Sequence, residues 1–295
     1  MKHILIDLGH LSHRMLFGQV NQIKQAGFGL LRHMLIKNIL SSINKFEPDR
    51  VYIGVDFKKS WRKEETLTYK ANRVEVRKKT ETTVDWVGFY SFMEEFASEL
   101  KDNFPFHTIA YPTLEADDVI GYLVKALPKE DEKICITSDT DYIQLLRYDN
   151  TKLYCPIKTK YIKSPNPLHD LELKIVCGDK SDNIPGIRFR LGKKTAEKLI
   201  ESGELYKMLN EIDKEGNPCE LMRNYQRNKK LIDLTFTPEH LCKELHSVIT
   251  NYTPVSGSSI FGYFVKHSLR DLIVDITKYR NYLSNLKKDP VQLIL

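Results

Sequence analysis

The residues of this 295-residue chain with the most chemistry in them are its acids, because of where they fall. Asp7 closes the apolar run HILIDL and Asp56 closes VYIGVD. Glu115, Asp117 and Asp118 follow FHTIAY after a short turn, and Asp139 and Asp141 follow KICITS. Each run is short, apolar and rich in β-branched residues, the pattern of a buried strand. Taken singly, Asp139 ahead of DYIQLL and Glu115 ahead of ADDVIGYL read as helix caps. A cap account needs one acid per helix start, whereas EADD and SDTD put two or three into one turn, where their repulsion is unfavourable unless a cation offsets it. Ligands of open α/β sheets collect outside the carboxyl ends of the strands. The pattern therefore predicts an oxygen-only cluster for hard divalent ions, Mg²⁺ or Mn²⁺. A pair of such ions activates water and stabilises the leaving oxygen in phosphodiester hydrolysis.

The elements that must carry these acids are four strands separated by helix-length segments, which implies a parallel α/β sheet. Leu30, Leu31, Met34, Leu35, Asn38 and Ile39 form one helical stripe, and Phe89, Phe92, Met93, Phe96 and Leu100 another, both read as core faces. Between strand 51–56 and the second stripe, residues 57–85 have no continuous apolar face and are expected to project from the sheet. Within them, residues 58–79 hold nine Lys/Arg against three Glu, so the formal net charge of +6 is a local patch suited to a polyanion. From Pro165 onward, PNPLHDLELKIVCGD reads as a helix stopped at Gly178. A basic glycine-bearing turn, KSDNIPGIRFRLG, follows, and then a second helix, KKTAEKLIES. ELMRNYQRNKKLIDL and SIFGYFVKHSLRDLIVDITKYRNYL read as further amphipathic helices. The expected organisation is an α/β core over 1–164 and a mainly helical region over 165–295.

Composition, 41% hydrophobic and 28% charged, excludes disorder, collagen and coiled coil as the dominant state. Five cysteines without any C-x-x-C spacing read as reduced, mostly buried thiols, not as a zinc site or disulfide framework. No apolar run approaches the roughly 18 residues of a membrane span, and MKHILIDL runs directly into a strand pattern, so a soluble, cytoplasmic protein is expected.

In this order and spacing, ILIDLGHLSHR, VDFKKSWRKEETLTYKANR, LEADDVIGYL, TSDTDYIQL and GDKSDNIPGI resemble the structure-specific 5′-nuclease (flap endonuclease) family over most of residues 1–200. SSIFGYFVKHSLRDLI further resembles the end of a phage-encoded branch that removes RNA primers. The resemblance implies a PIN-like α/β core, an arch at about 57–85 and a helix-hairpin-helix duplex anchor at about 167–202. It also implies Mg²⁺-dependent 5′ to 3′ exonuclease, flap endonuclease and ribonuclease H activity in replication, with two ions and Mn²⁺ as a substitute. Asp7, Asp56, Glu115 and Asp117 would hold the first ion, with Asp118 nearby. Asp139, Asp141 and Asp182 would hold the second, with Asp179 behind them. Asp179 and Asp182 enter only through the family's G-D-x-x-D-N pattern.

Lys70 and Arg73, in the family's Tyr-Lys-x-x-Arg, would act at the scissile phosphate. Tyr69 and Trp61 are expected to stack on bases, Arg62 to contact phosphates and Arg14 to hold the 5′ side, while Trp61 has an equal reading as a hydrophobic foot of the arch. Arg188, Arg190, Lys193 and Lys194 would grip the duplex at the turn, where a monovalent cation is also expected. The implied partners are branched or nicked duplex DNA, RNA–DNA hybrid and 5′ flaps, with a single-strand-binding protein and a sliding clamp. No membrane is involved, and a monomer is expected. Two departures stand out: Leu8-Gly9-His10 replaces an immediate glycine after Asp7, which is expected to touch packing more than metal binding, and RFR is inserted between the glycines of the hairpin.

Two other activities remain open. A PIN-type ribonuclease shares the acids but is typically far shorter and lacks the helix-hairpin-helix of 165–200. A catalytically inactive DNA-binding scaffold would be expected to have lost acids, whereas all nine positions are filled. The ending VQLIL after Pro290 has two readings: a docking peptide offering Leu293 to Leu295 to a sliding clamp, or a strip folded back over the helical region's core.

Overall fold

The computed structural model describes residues 1–212 and 217–294. The four expected strands form as β1 (Lys2–Asp7), β2 (Arg50–Val55), β3 (His107–Ala110) and β4 (Glu132–Ile136). Two more follow, β5 (Thr151–Cys155) and β6 (Lys160–Ile162). The order across the sheet is β3-β2-β1-β4-β5-β6, parallel except for β6, which runs antiparallel to β5. The last two strands escape a sequence reading because they are short and largely polar outside Leu153–Cys155. β1 lies in the middle with Ile4, Leu5 and Ile6 fully buried, so both faces are covered and its apolar run is continuous instead of alternating. From β1 the chain builds β2 on one side and later β4 on the other. That reversal opens a crevice at their carboxyl ends.

The helices α1 (Leu8–Gly18), α2 (Val20–Ala26) and α3 (Phe28–Phe46) precede β2. α4 (Trp61–Glu65), α5 (Arg73–Thr80) and α6 (Trp86–Asn103) precede β3, α7 (Ala116–Ala126) precedes β4, and a 3₁₀ helix (Thr140–Arg147) follows it. Both expected stripes face a core: Leu31, Leu35 and Ile39 of α3 pack with Phe89, Phe92, Phe96 and Leu100 of α6 against one side of the sheet. α8 (Pro167–Cys177), α9 (Lys193–Glu201), α10 (Glu204–Leu209) and α11 (Glu220–Ile232) surround two small cores of their own.

The rest of the helical half does not stand apart from the sheet. α12 (Glu239–Thr250) joins α7 on the second face through Leu241, Leu245 and Ile249. α13 (Ile260–Lys266), α14 (Arg270–Val274) and α15 (Ile276–Ser284) complete the first face through Phe264, Leu272 and Leu283. The expected single helix over this last stretch is broken at Ser268, whose φ of 53° is left-handed. The C-terminal strip folds back, though on to the sheet's second face: Val291 is buried among the α7 and α12 side chains, and Ile294 N–H donates to Ala126 C=O at 2.6 Å. Val291 and Leu293 are therefore core residues, which corrects the docking-peptide reading. Leu295 lies outside the described residues. Cys135 and Cys155 are buried, the other three cysteines are half-buried, and all are free thiols. Among the described residues no helix is long and apolar enough to cross a membrane.

Candidate active site and nucleic-acid interface

Asp7 ends β1 and caps α1. Its Oδ1 accepts from His10 N–H and its Oδ2 from the Tyr142 hydroxyl, both at 2.8 Å. Asp56 follows β2 and accepts from Ala116 N–H at 2.9 Å. Gly9 lets the two acids share this corner, since a Cβ there would lie 2.1 Å from Asp56 Oδ2 and 3.5 Å from Asp7 Oδ1. The glycine one place beyond the family's usual position thus serves the acids themselves. Glu115 caps α7, and Asp118 reaches back to Glu115 N–H at 2.9 Å, a reciprocal capping box. One ligand atom from each of Glu115, Asp117 and Asp118 lies within 4.8 Å of the others.

The electrostatics separate these acids. Burial, and then repulsion from Asp56, pushes Asp7 up to about 6. Burial raises Asp117 well above the usual carboxylate range, with Glu115 and Asp118 adding to the rise against Arg62. Burial would raise Glu115 too, but Lys70 and Arg62 outweigh it and hold that acid at about 2.

A second group of acids sits at the end of β4. Asp139 caps the 3₁₀ helix by accepting from Asp141 N–H at 2.9 Å, and His10 Nδ1 lies 3.5 Å from its other oxygen. Lys174 of α8 is ion-paired to Asp141 and lies 2.8 Å from Asp179 Oδ2. Asp182 stands on the loop after α8. That loop turns back through Gly178, whose φ is 75° and where a Cβ would come within 2.4 Å of Ile184 C=O.

The segment expected to form an arch is only half projecting. Its first part is pinned between the acids and the hairpin: Lys70 N–H donates to Asp182 C=O at 2.8 Å, and Asn183 Nδ2 donates to Thr68 C=O at 2.8 Å. Lys70 Nζ donates to Glu115 Oε1 at 2.6 Å, and Arg73 Nη2 to Asp182 Oδ1 at 2.9 Å. Both expected electrophilic side chains therefore stand beside the acids. From Arg73 onward, α5 has no buried residue. An open cleft of about 360 Å³ lies between it and the sheet, lined by Asp56, Lys70, Arg73, Arg77, Tyr90 and Glu115.

Three expectations in this segment are corrected. Arg62 is 1% exposed, with Nη1 donating to Asp118 Oδ2 at 2.9 Å and Glu115 Oε2 at 3.1 Å, so it holds the acids and is not free for a phosphate. Tyr69 is 2% exposed and donates its hydroxyl to Glu115 at 3.0 Å, and Trp61 is buried with its indole N–H on Asp118 at 3.3 Å. Neither ring offers a face for base stacking, and Trp61 is the hydrophobic foot. The reason is that these side chains insert one at a time into the gap between α7 and the α8–α11 unit, which leaves no periodic stripe. Asp118, fully buried, spends its oxygens on Arg62, Trp61 and Glu115 N–H and sits behind the other acids.

Arg14 is exposed on α1, one turn beyond His10. Arg188, Arg190, Lys193 and Lys194 are all exposed around the 178–192 hairpin. His10, Tyr142 and Lys174 also contact the acids, and the sequence pattern does not mark them as site residues. Nothing in the spacing of Lys174 marks it. Tyr142 was readable only as the residue immediately after the last acid of TSDTD.

Comparison with known proteins places the chain in context. The family model described as 5′-3′ exonuclease, N-terminal resolvase-like domain, matches residues 2–170, and that described as T4 RNase H, C terminal, matches residues 166–279. Ribonuclease H of Enterobacteria phage T4 is 28% identical over 298 aligned residues, covering 93% of this chain and 95% of that protein. The 5′-3′ exonuclease of Bacillus subtilis (strain 168) is 29% identical over 57% of each chain. Among solved structures, the T5 D15 protein co-crystallized with metal ions superposes with a TM-score of 0.64 at 21% identity, covering 95% of this chain and all of that one. The T5 D15 flap endonuclease in a complex with DNA and metal ions superposes equally well, at 19% identity over 95% of this chain and 100% of that one.

Proposed function

Because the chain belongs to the 5′-3′ exonuclease family, whose N-terminal domain model spans more than half of it, we propose that this nuclease uses two Mg²⁺ ions to remove RNA primers and 5′ flaps from duplex DNA during replication. The observation that carries the reading is the acid cluster at the crevice of the sheet. Asp117 Oδ1 is buried there without a hydrogen-bond partner, and burial and crowding hold Asp7 and Asp117 above the normal carboxylate range. An oxygen-only set whose buried Asp117 oxygen has no hydrogen bond, only the Arg62 guanidinium at 3.6 Å, and whose crowding the neighbouring cations offset in part, fits a hard divalent cation.

Asp7, Asp56, Glu115 and Asp117 would hold one ion. Asp139, Asp141 and Asp182 would hold the other, with Asp179 supporting through Lys174. Such ions supply a lowered water pKa and charge neutralisation at the phosphodiester. The protein's own groups do the remainder. Lys70 and Arg73 line the cleft as preorganised positive charge for the scissile phosphate. α5 and the sheet edge confine a single strand, and Arg14 holds its 5′ side. Arg188, Arg190, Lys193 and Lys194 hold the duplex, with a monovalent cation completing the hairpin. The protein acts as a monomer on nicked, branched or RNA-primed duplex, alongside a single-strand-binding protein.

The test is incubation of the wild type, Asp117→Asn and Asp139→Asn with 5′-labelled flap, nicked and RNA-primed duplexes, with and without Mg²⁺. Metal-dependent cleavage by the wild type and its loss in both variants, with duplex binding retained, is the expected result. No metal-dependent cleavage of any of the three substrates by the wild type would refute the reading.

A further inference from the structure

The hairpin between α8 and α9 ends in a side chain that neither the fold nor the charge pattern uses. Leu191 N–H donates to Arg188 C=O at 3.3 Å and closes a tight turn with Phe189 and Arg190 at its tip. Phe189 is 84% exposed, the most exposed aromatic ring among the described residues. Arg190 takes a left-handed φ of 57°, which a branched-chain-free but Cβ-bearing residue adopts against its steric preference. Its guanidinium lies over the Phe189 ring, 5.1 Å from the centroid, a cation–π contact between the two tip residues.

The root of this turn is rigid. Ile187 is buried and its N–H donates to Val176 C=O at 3.0 Å. Asn224 Nδ2 donates to Ile187 C=O at 3.1 Å, and the buried Asn228 donates to Ile175 and Pro185 C=O at 2.9 and 2.8 Å. A strained, exposed aromatic tip on a root held by four hydrogen bonds is preorganised for a partner, because fixing it in advance removes the ordering cost of binding. The surroundings decide which partner. Arg188 and Arg190 flank Phe189 in the chain, the recess it borders is lined by Lys180 and Arg227 as well as by Glu211 and Glu220, and Lys193 and Lys194 open α9. An exposed aromatic ring carried between two arginines in the chain complements a base step and its adjoining phosphates.

We propose that Phe189 is a wedge that enters the minor groove of the bound duplex at a base step and partly unstacks it, while Arg188 and Arg190 hold the adjoining phosphates. This rests on the nuclease reading above and deepens its duplex anchor from a purely ionic grip to one with a fixed insertion point. Apolar wedges of this kind kink the duplex toward the major groove, which would bend the DNA at a set distance from the acid cleft.

The experiment uses the full chain in EDTA, which prevents cleavage, and a nicked duplex carrying 2-aminopurine at successive positions along its double-stranded arm. Wild-type binding is expected to raise the fluorescence at one step only. Phe189→Ala is expected to abolish that rise and weaken binding about five- to hundredfold, the range for removing one base-stacking aromatic. The slope of log Kd against log salt should not change, because the ring neutralises no phosphate. Phe189→Trp should restore both signals, and an unchanged thermal midpoint for Phe189→Ala shows that the fold is intact. Arg188→Ala with Arg190→Ala should instead lower the slope by about one to two. Wild-type affinity and fluorescence in Phe189→Ala, or a loss equal to the arginine variant's with the same fall in slope, would overturn the wedge while leaving the nuclease reading intact. A ring that serves a protein partner would give that first result. Failure of the wild type to bind nicked duplex would instead strike the nuclease reading itself.

Discussion

Replacing Arg62 with methionine tests the central correction made by the structure, that this arginine braces the acids from behind. Its Nη2 lies 2.8 Å from Asp118 Oδ1, its Nη1 bonds Asp118 and Glu115 and lies 3.6 Å from Asp117, and its Nε donates to Leu231 C=O at 3.0 Å. Methionine fills much of the same volume but leaves the fully buried Asp118 without its counter-charge. Removing one partner of a buried ion pair costs about 3–5 kcal/mol. For a chain of this size that is a fall in thermal midpoint of roughly 6–15 °C.

A phosphate-contacting surface arginine would behave in the opposite way: stability within about 0.5 kcal/mol of wild type, and a salt slope for duplex binding lower by about one. Differential scanning calorimetry in EDTA, with a salt titration of DNA binding, separates the two. Arg62→Met combined with Asp118→Asn should lose less than the sum of the single changes, with a coupling of at least about 1 kcal/mol. Saturating Mg²⁺ should stabilise Arg62→Met more than wild type, because the acids left behind gain more from a cation. A midpoint within a degree of wild type, together with a reduced salt slope, would refute the bracing role and return Arg62 to the DNA interface.

Three further outcomes are expected. Asp7, pushed up to about 6 from an ordinary 3.8, binds its proton more tightly folded than unfolded. In EDTA its contribution is therefore lost as pH rises from about 4 to about 6, by at most ~3 kcal/mol, and stays lost above that. Asp7→Asn should then be the more stable protein at pH 7 and equal wild type near pH 4 in urea melts; no convergence at low pH would contradict the raised pKa. Lys70→Ala should lower the single-turnover cleavage rate about a hundredfold while changing Kd much less, and equal losses in quenched-flow and binding assays would make it a binding residue only. Truncation after Pro290 removes the buried Val291 and the Ile294 bond to Ala126. It should cost about 2–3 kcal/mol of burial and several degrees of midpoint. An unchanged melting curve would mean that the strip is not part of the core.

Features that depend on chain-local pattern are legible in the residues alone. A continuous apolar run needs two covered faces, so β1, β2 and β4 were legible as buried parallel strands. The acids closing those runs, Asp7, Asp56 and Asp139, had to meet wherever such strands align. Helical stripes such as Phe89, Phe92 and Phe96 marked α6, and Gly178 marked the end of α8, because its left-handed φ is a property of one residue.

Contacts between segments far apart in the chain follow from the folding of the whole molecule. Arg62 and Tyr69 carry the composition of a nucleic-acid interface, yet a neighbouring helix and the acids of α7 close over them. Lys174 looks like any helix-surface lysine until the hairpin brings Asp141 and Asp179 to its ammonium. The α13–α15 stretch reads as an outer helical region until Phe264 and Leu283 are found in the core beside α3 and α6. In each case the side chain's type was visible, but its role was set by what the fold placed against it, and burial turns the same cation from a solvated surface charge into a structural counter-ion.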